Sequence, residues 1–130
     1  PVGSQLPIRR SMSSETNHND AVFPSKLAVI GAGSFGSAMV RVLSKAAEEA
    51  SSSHSLDASE KNGSYAPMVH WYARRESIVQ EINGASTRTN QQYFPTTTPF
   101  ASNVIATSNL LDCVRDARVI VLAMPSTYLP

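Results

Sequence analysis

At 130 residues the chain is long enough for one domain with a modest core. Its 42% hydrophobic and 16% charged content is a globular balance, and a formal charge of +1 gives no electrostatic reason for a nucleic-acid or anionic-membrane partner. No apolar run approaches the roughly 20 residues of a bilayer span, and the single cysteine, Cys113, excludes an internal disulfide and a Cys-rich zinc site.

Residues 1–24 read as a flexible tail, polar and aperiodic from Ser11 to Asp20. Arg9 and Arg10 stand with no acid until Glu15. That pattern fits either an ordinary extension or the remnant of an organelle-targeting peptide. A lone cysteine agrees with a reducing compartment. The cytoplasm is the expected location, with an organelle as the alternative.

From residue 25 onward the chain becomes periodic. Leu27-Ala28-Val29-Ile30 is a short apolar run that reads as a buried parallel strand. Gly31-Ala32-Gly33-Ser34-Phe35-Gly36 follows, a G-x-G-x-x-G between that strand and a helical pattern reaching Ala50. Each glycine has a reason: Gly31 for the tight turn, Gly33 for close backbone approach of a pyrophosphate, Gly36 for close helix–strand packing. The helix N-terminus adds free N–H groups and partial positive charge for phosphate. Phe35, Ala38, Met39, Val42, Leu43, Ala46 and Ala47 are expected on the buried face of this helix. Arg41, Ser44, Lys45, Glu48 and Glu49 are expected on the solvated one.

Residues 51–66, SSSHSLDASEKNGSYA, read as a flexible surface insertion. Met68 to Ala73 is the second strand, in which His70 faces a neighbour rather than a metal. It runs into Ala73-Arg74-Arg75, with no acid before Glu76. Arg74 is therefore a candidate for a cofactor 2′-phosphate, and the other reading is that both arginines start a solvated helix. That helix spans Glu76 to Asn83, with Ile78 and Ile82 inward and Gly84 as its stop. Residues 85–102 form a loop, and Asn103–Thr107 a short third strand. Thr107 or Ser108 is expected to cap a helix in which Leu110, Val114 and Ala117 share a face and Cys113 packs. Arg118 to Met124 is the fourth strand.

This βαβαβαβ order predicts an α/β fold, a Rossmann-type doubly wound parallel sheet ordered 3-2-1-4. Ligands in such sheets bind at the carboxyl ends of the strands where the order reverses, between strands 1 and 4. The chain has no initial methionine and ends at Pro130 just after the fourth strand, whereas such sheets normally have more strands. The expectation is a fragment truncated after that strand, with residues 25–130 an incomplete dinucleotide-binding domain.

Five motifs in order resemble the NAD(P)-dependent glycerol-3-phosphate dehydrogenases. They are GAGSFGSAM after strand 1, Trp71 to Arg74, Glu81-Ile82-Asn83 with Asn90-Gln91-Gln92-Tyr93-Phe94-Pro95, Asn103 to Thr107, and Ala117 to Ser126. The departures are the 51–66 insertion, Phe94 for leucine, Met124 for valine and a missing glycine after Pro95. The resemblance implies hydride transfer between NAD or NADP and the small-molecule pair glycerol 3-phosphate and dihydroxyacetone phosphate. It also implies a homodimeric full-length protein, with no nucleic-acid or membrane partner. Gly31, Gly33, Ser34, Phe35 and Gly36 would form the phosphate loop; Pro125 and Tyr128 would lie beside the nicotinamide ribose and ring. Phe35 could equally serve helix packing. The family's proton-transferring lysines belong to parts absent here, so no catalytic residue and no metal ligand is assigned. The alternatives are a non-catalytic NAD(P)-binding module, or the cofactor domain of another dehydrogenase acting on a hydroxy acid or ketopantoate.

Overall fold

The computed structural model describes residues 23–54, 66–125 and 127. In chain order these form β1 (Lys26–Ile30), α1 (Ser34–His54), β2 (Met68–Tyr72), α2 (Glu76–Asn83), β3 (Val104–Thr107), α3 (Leu110–Val114) and β4 (Val119–Leu122). All strand pairings are parallel, in the order β3-β2-β1-β4. This is the expected order, with β1 and β4 adjacent. Ile30 lies level with both Tyr72 and Leu122, so three strands end together at one edge.

Burial follows from position in the sheet. β1 is central, and Leu27, Ala28, Val29 and Ile30 are all buried, as an apolar run with neighbours on both sides should be. In β2 and β3 alternate residues are buried: Val69 and Trp71, then Val104 and Ala106. β4 has a neighbour on one side only among the described residues, and Val119, Ile120 and Leu122 stay exposed.

α1 does not dock by the face its large apolar residues suggest. Ser37, Val40, Ser44 and Ala47 are buried, while Phe35 is 62% exposed and Val42 63% exposed. The reason is distance. Gly36 packs directly on the strand end, so the first turn leaves room beneath it only for a side chain as small as Ser37, while farther along Val40 and the expected Ala47 are buried and Leu43 packs partly on the core. The buried hydroxyls are satisfied locally, Ser37 Oγ donating to Gly33 O and Ser44 Oγ to Arg41 O. Arg41 is half-buried rather than solvated. Its guanidinium lies 4.7 Å from the Phe100 ring centroid and 5.5 Å from that of Phe94, and donates to Thr98 O.

The end of α1 and the start of α3 also differ. α1 continues through Ser51–His54, into the expected insertion, with Ser52 and Ser53 hydroxyls donating to Glu48 O and Glu49 O. Residues 55–65 lie outside the described residues. Asn109, not Thr107 or Ser108, caps α3, its side chain accepting from the Asp112 N–H at 3.1 Å. α3 turns Cys113 inward and leaves Leu110 exposed, because the helix is a single short turn lying over β1 and β2. Lys26 Nζ closes its other end, donating to the carbonyls of Asp112 (2.9 Å) and Arg115 (2.6 Å).

The loop 85–102 is pinned rather than free. Phe100 is buried edge-on against Trp71 at 5.1 Å, and Arg88 donates to Phe100 O and Val104 O. Asn90 is fully buried.

Candidate functional site

The common end of β1, β2 and β4 is where the chain opens a cleft. The chain leaves β1 at Gly31 with φ +115°, a conformation side chains rarely adopt, and a Cβ there would run into the Ala123 carbonyl. The Gly31 N–H donates to Tyr72 O at 3.1 Å, tying the turn to β2. A Cβ on Gly36 would strike the Gly31 carbonyl and come within 3.4 Å of the Ala123 Cβ. The fold itself therefore requires these two glycines. Gly33 is different: a Cβ there would meet no atom within 4 Å. No described residue fills the space that this glycine leaves.

That space belongs to a cleft of about 440 Å³, within the ordinary range for small-molecule sites. Gly31, Ala32 and Gly33 form one wall, Tyr72 and Arg74 the β2 side, and Ala123, Met124 and Pro125 the β4 side. Four residues chosen from sequence thus meet here: Gly31, Gly33, Arg74 and Pro125. Gly36 lies buried behind them. Ser34 and Phe35 stand at the start of α1, outside the cleft lining. The Ser34 hydroxyl is committed to Tyr93 O at 2.8 Å. Phe35 is too exposed for the packing role. Tyr128 lies outside the described residues. Of the two arginines, Arg75 reaches Gln92 Oε1 at 3.4 Å and Arg74 lines the cleft. A larger hollow of about 640 Å³ lies over residues 86–99, but its lining is neutral and away from the strand ends.

The cleft is electropositive in character. α1 carries no acid in its first turn, so the partial positive charge at its N-terminus is uncompensated, and Arg74 adds a full charge opposite. Such a surface receives an anion. Elsewhere, burial and the Lys26 charge lower the pKa of His70, and burial pushes the Cys113 thiol up, consistent with packing groups. Cys113 Sγ lies 3.5 Å from His70 O. Among the described residues no group of three His, Cys, Asp or Glu could hold a metal ion, and no helix is long and apolar enough to cross a membrane.

Sequence reasoning placed Trp71 and Asn90 in motifs but gave them no role behind the loop. Trp71 Nε1 donates to Gly31 O at 2.8 Å, and Asn90 Nδ2 to Ala32 O at 2.9 Å. A buried indole N–H always needs an acceptor, which is the one signal that could have drawn attention to Trp71.

A family model described as the N-terminus of NAD-dependent glycerol-3-phosphate dehydrogenase matches residues 26–130. Among solved structures the chain is similar to the glycerol-3-phosphate dehydrogenase of Plasmodium falciparum, at 25% identity and a TM-score of 0.62 over 82% of this chain and 26% of that one. The Saccharomyces cerevisiae enzyme gives 25% identity and a TM-score of 0.63, over 83% of this chain and 28% of that one. The Coxiella burnetii enzyme, at 22% identity and a TM-score of 0.56, shares the fold over 78% of this chain and 25% of that one. The chain thus spans about a quarter of the length of these structures. Comparison with curated proteins finds no match.

Proposed function

Because the chain belongs to the family of NAD-dependent glycerol-3-phosphate dehydrogenase N-terminal domains, we propose that its cleft holds NAD(H) or NADP(H) for an oxidoreductase interconverting glycerol 3-phosphate and dihydroxyacetone phosphate. The observation that carries the reading is Gly33. Its missing side chain leaves room that no described residue fills, beside an uncompensated helix N-terminus, which supports a bound ligand there. Gly31 and Gly33 would lie against the pyrophosphate, with Ser34, Phe35 and Gly36 completing the loop. Pro125 and Tyr128 would lie toward the nicotinamide end, and Arg74 toward the adenosine ribose. The cofactor supplies a hydride donor and acceptor; these residues bind and orient it. No proton-transfer group is assigned within this chain. Lys26 is engaged with the end of α3, Lys45 is exposed on α1, and Lys61 lies outside the described residues. For the full-length protein the reading includes a homodimer. Its location would be the cytoplasm, or an organelle if residues 1–24 are the remnant of a targeting peptide.

Two measurements test this. Calorimetric titration with NADH should show saturable one-site binding. NADH oxidation by the full-length protein should depend on dihydroxyacetone phosphate. Binding without that dependence would leave a nucleotide-binding domain serving another substrate, and absence of binding would overturn the reading altogether.

A further inference from the structure

Three consecutive carbonyls of the glycine loop are held from behind by buried side chains. Trp71 Nε1 donates to Gly31 O and Asn90 Nδ2 to Ala32 O. Ser37 Oγ donates to Gly33 O at 2.8 Å and itself accepts from Asn90 Nδ2 at 3.1 Å. Trp71, Asn90 and Ser37 are each 0% exposed. A trans peptide is planar, with its C=O and N–H pointing in opposite directions, and no cis peptide occurs among the described residues. Holding these carbonyls on one side therefore turns the next N–H groups, those of Ala32, Gly33 and Ser34, to the other. Among the described residues the Ala32 and Gly33 N–H groups have no acceptor. They border the cleft, on the side where a Cβ of Gly33 would find open space.

We propose that Asn90, acting with Ser37 and Trp71, is a positioning residue that aims this row of amides at the pyrophosphate of the dinucleotide. The inference rests on the cofactor reading above and adds what prepares the loop for it. The orientation of the Asn90 amide follows from chemistry: Ala32 O can only accept, so the nitrogen must face it. Asn90 Oδ1 has no partner among the described residues, so its hydrogen bonds to Ala32 O in the loop and to Ser37 Oγ are both made by the NH2 group. Without the clamp, each peptide of the loop could rotate, and its ordering would be charged to ligand binding. A carboxylate of the same shape cannot replace Asn90, because it would present oxygen to the Ala32 carbonyl.

The test uses the full-length protein with Asn90→Asp and Ser37→Ala, titrated with NADH and, in parallel, with adenosine. Adenosine shares the base and ribose but has no phosphate. Ser37→Ala removes both hydroxyl bonds, to Gly33 O and from Asn90 Nδ2, but keeps the Ser37 N–H on Gly33 O and lies in a helix that tolerates alanine, so the protein should fold while NADH binds about fivefold more weakly. Asn90→Asp should cost more than about tenfold, because besides losing two hydrogen bonds it sets an oxygen against the Ala32 carbonyl. Adenosine should bind all three proteins alike. In the wild type, NADH should shift the Gly33 amide proton resonance downfield; in Ser37→Ala the shift should shrink. Unchanged NADH affinity in folded Ser37→Ala and Asn90→Asp, or an equal loss of adenosine, would overturn the clamp. If Asn90→Asp fails to fold, Ser37→Ala decides. A wild type that ignores NADH would instead overturn the cofactor reading on which the clamp depends.

Discussion

The three glycines of the loop separate into two kinds, and substitution should distinguish them. Gly33→Val should fold normally, because its side chain enters open space, yet lose most NADH binding. Gly36→Ala should do the reverse. Its methyl group meets the Gly31 carbonyl, and overpacking of that kind costs about 1–3 kcal/mol, a large share of a domain stability of about 5–15 kcal/mol. Thermal melts beside calorimetric titrations read the two effects separately; a Gly33→Val protein with wild-type affinity would sink the phosphate-loop assignment. Arg74 carries a second expectation. It stands in the cleft wall while Arg75 is drawn to Gln92, so Arg74→Glu should weaken NADPH more than NADH, by about tenfold for a lost charge-assisted pair. Equal losses for both cofactors would remove any role for Arg74 in recognising a 2′-phosphate. The glycines were legible in the sequence because their spacing has a local cause. Asn90 and Trp71 stood out only as motif residues; their hold on the loop was not legible, since the carbonyls they bond lie 58 and 40 residues away.

At the scale of the elements, short runs rich in apolar residues disclosed the four strands and the handedness of crossovers their order, though only β1 is hidden on both faces. The face of α1 was misjudged for a reason opposite to the usual one. Hydrophobicity ranks Phe35 and Val42 above Ser37 and Ser44, but the contact at Gly36 selects for size. The loop 85–102 looked featureless because its anchors, Arg41 under Phe94 and Phe100 and Arg88 among carbonyls, are long-range contacts of exposed-type residues. β2 also carries a pH dependence. Burial and Lys26 hold the His70 pKa below its ordinary 6.5, so the unfolded chain takes up the proton first as pH falls. Stability from this group is full above that value and declines as pH drops through it toward the folded pKa. The melting temperature should therefore fall on acidification below about pH 6.5, and His70→Gln should reduce that slope. An identical slope in both proteins would assign the effect to other groups.

At the scale of the molecule, the described residues hold a cleft at the strand ends and an uncovered side. β4 presents Val119, Ile120 and Leu122 at an edge with unpaired backbone groups, a template for association. Residues 1–130 expressed alone should self-associate, and Ile120→Lys should reduce this in light scattering while NADH affinity is kept. The same polypeptide should bind NADH but oxidise none of it with dihydroxyacetone phosphate, having no described lysine at the cleft. Turnover by it would place the proton-transfer group among residues assigned here to binding or packing. Trp71 has one further consequence. It is the chain's single tryptophan, and its indole is bonded to the first carbonyl of the loop beside the cleft. Indole emission overlaps the absorption of reduced nicotinamide, so a dinucleotide settling on the loop should quench this one residue by energy transfer. Residues 1–130 thus carry their own optical reporter, and arrival of a dinucleotide at the loop can be followed by light without attaching a label.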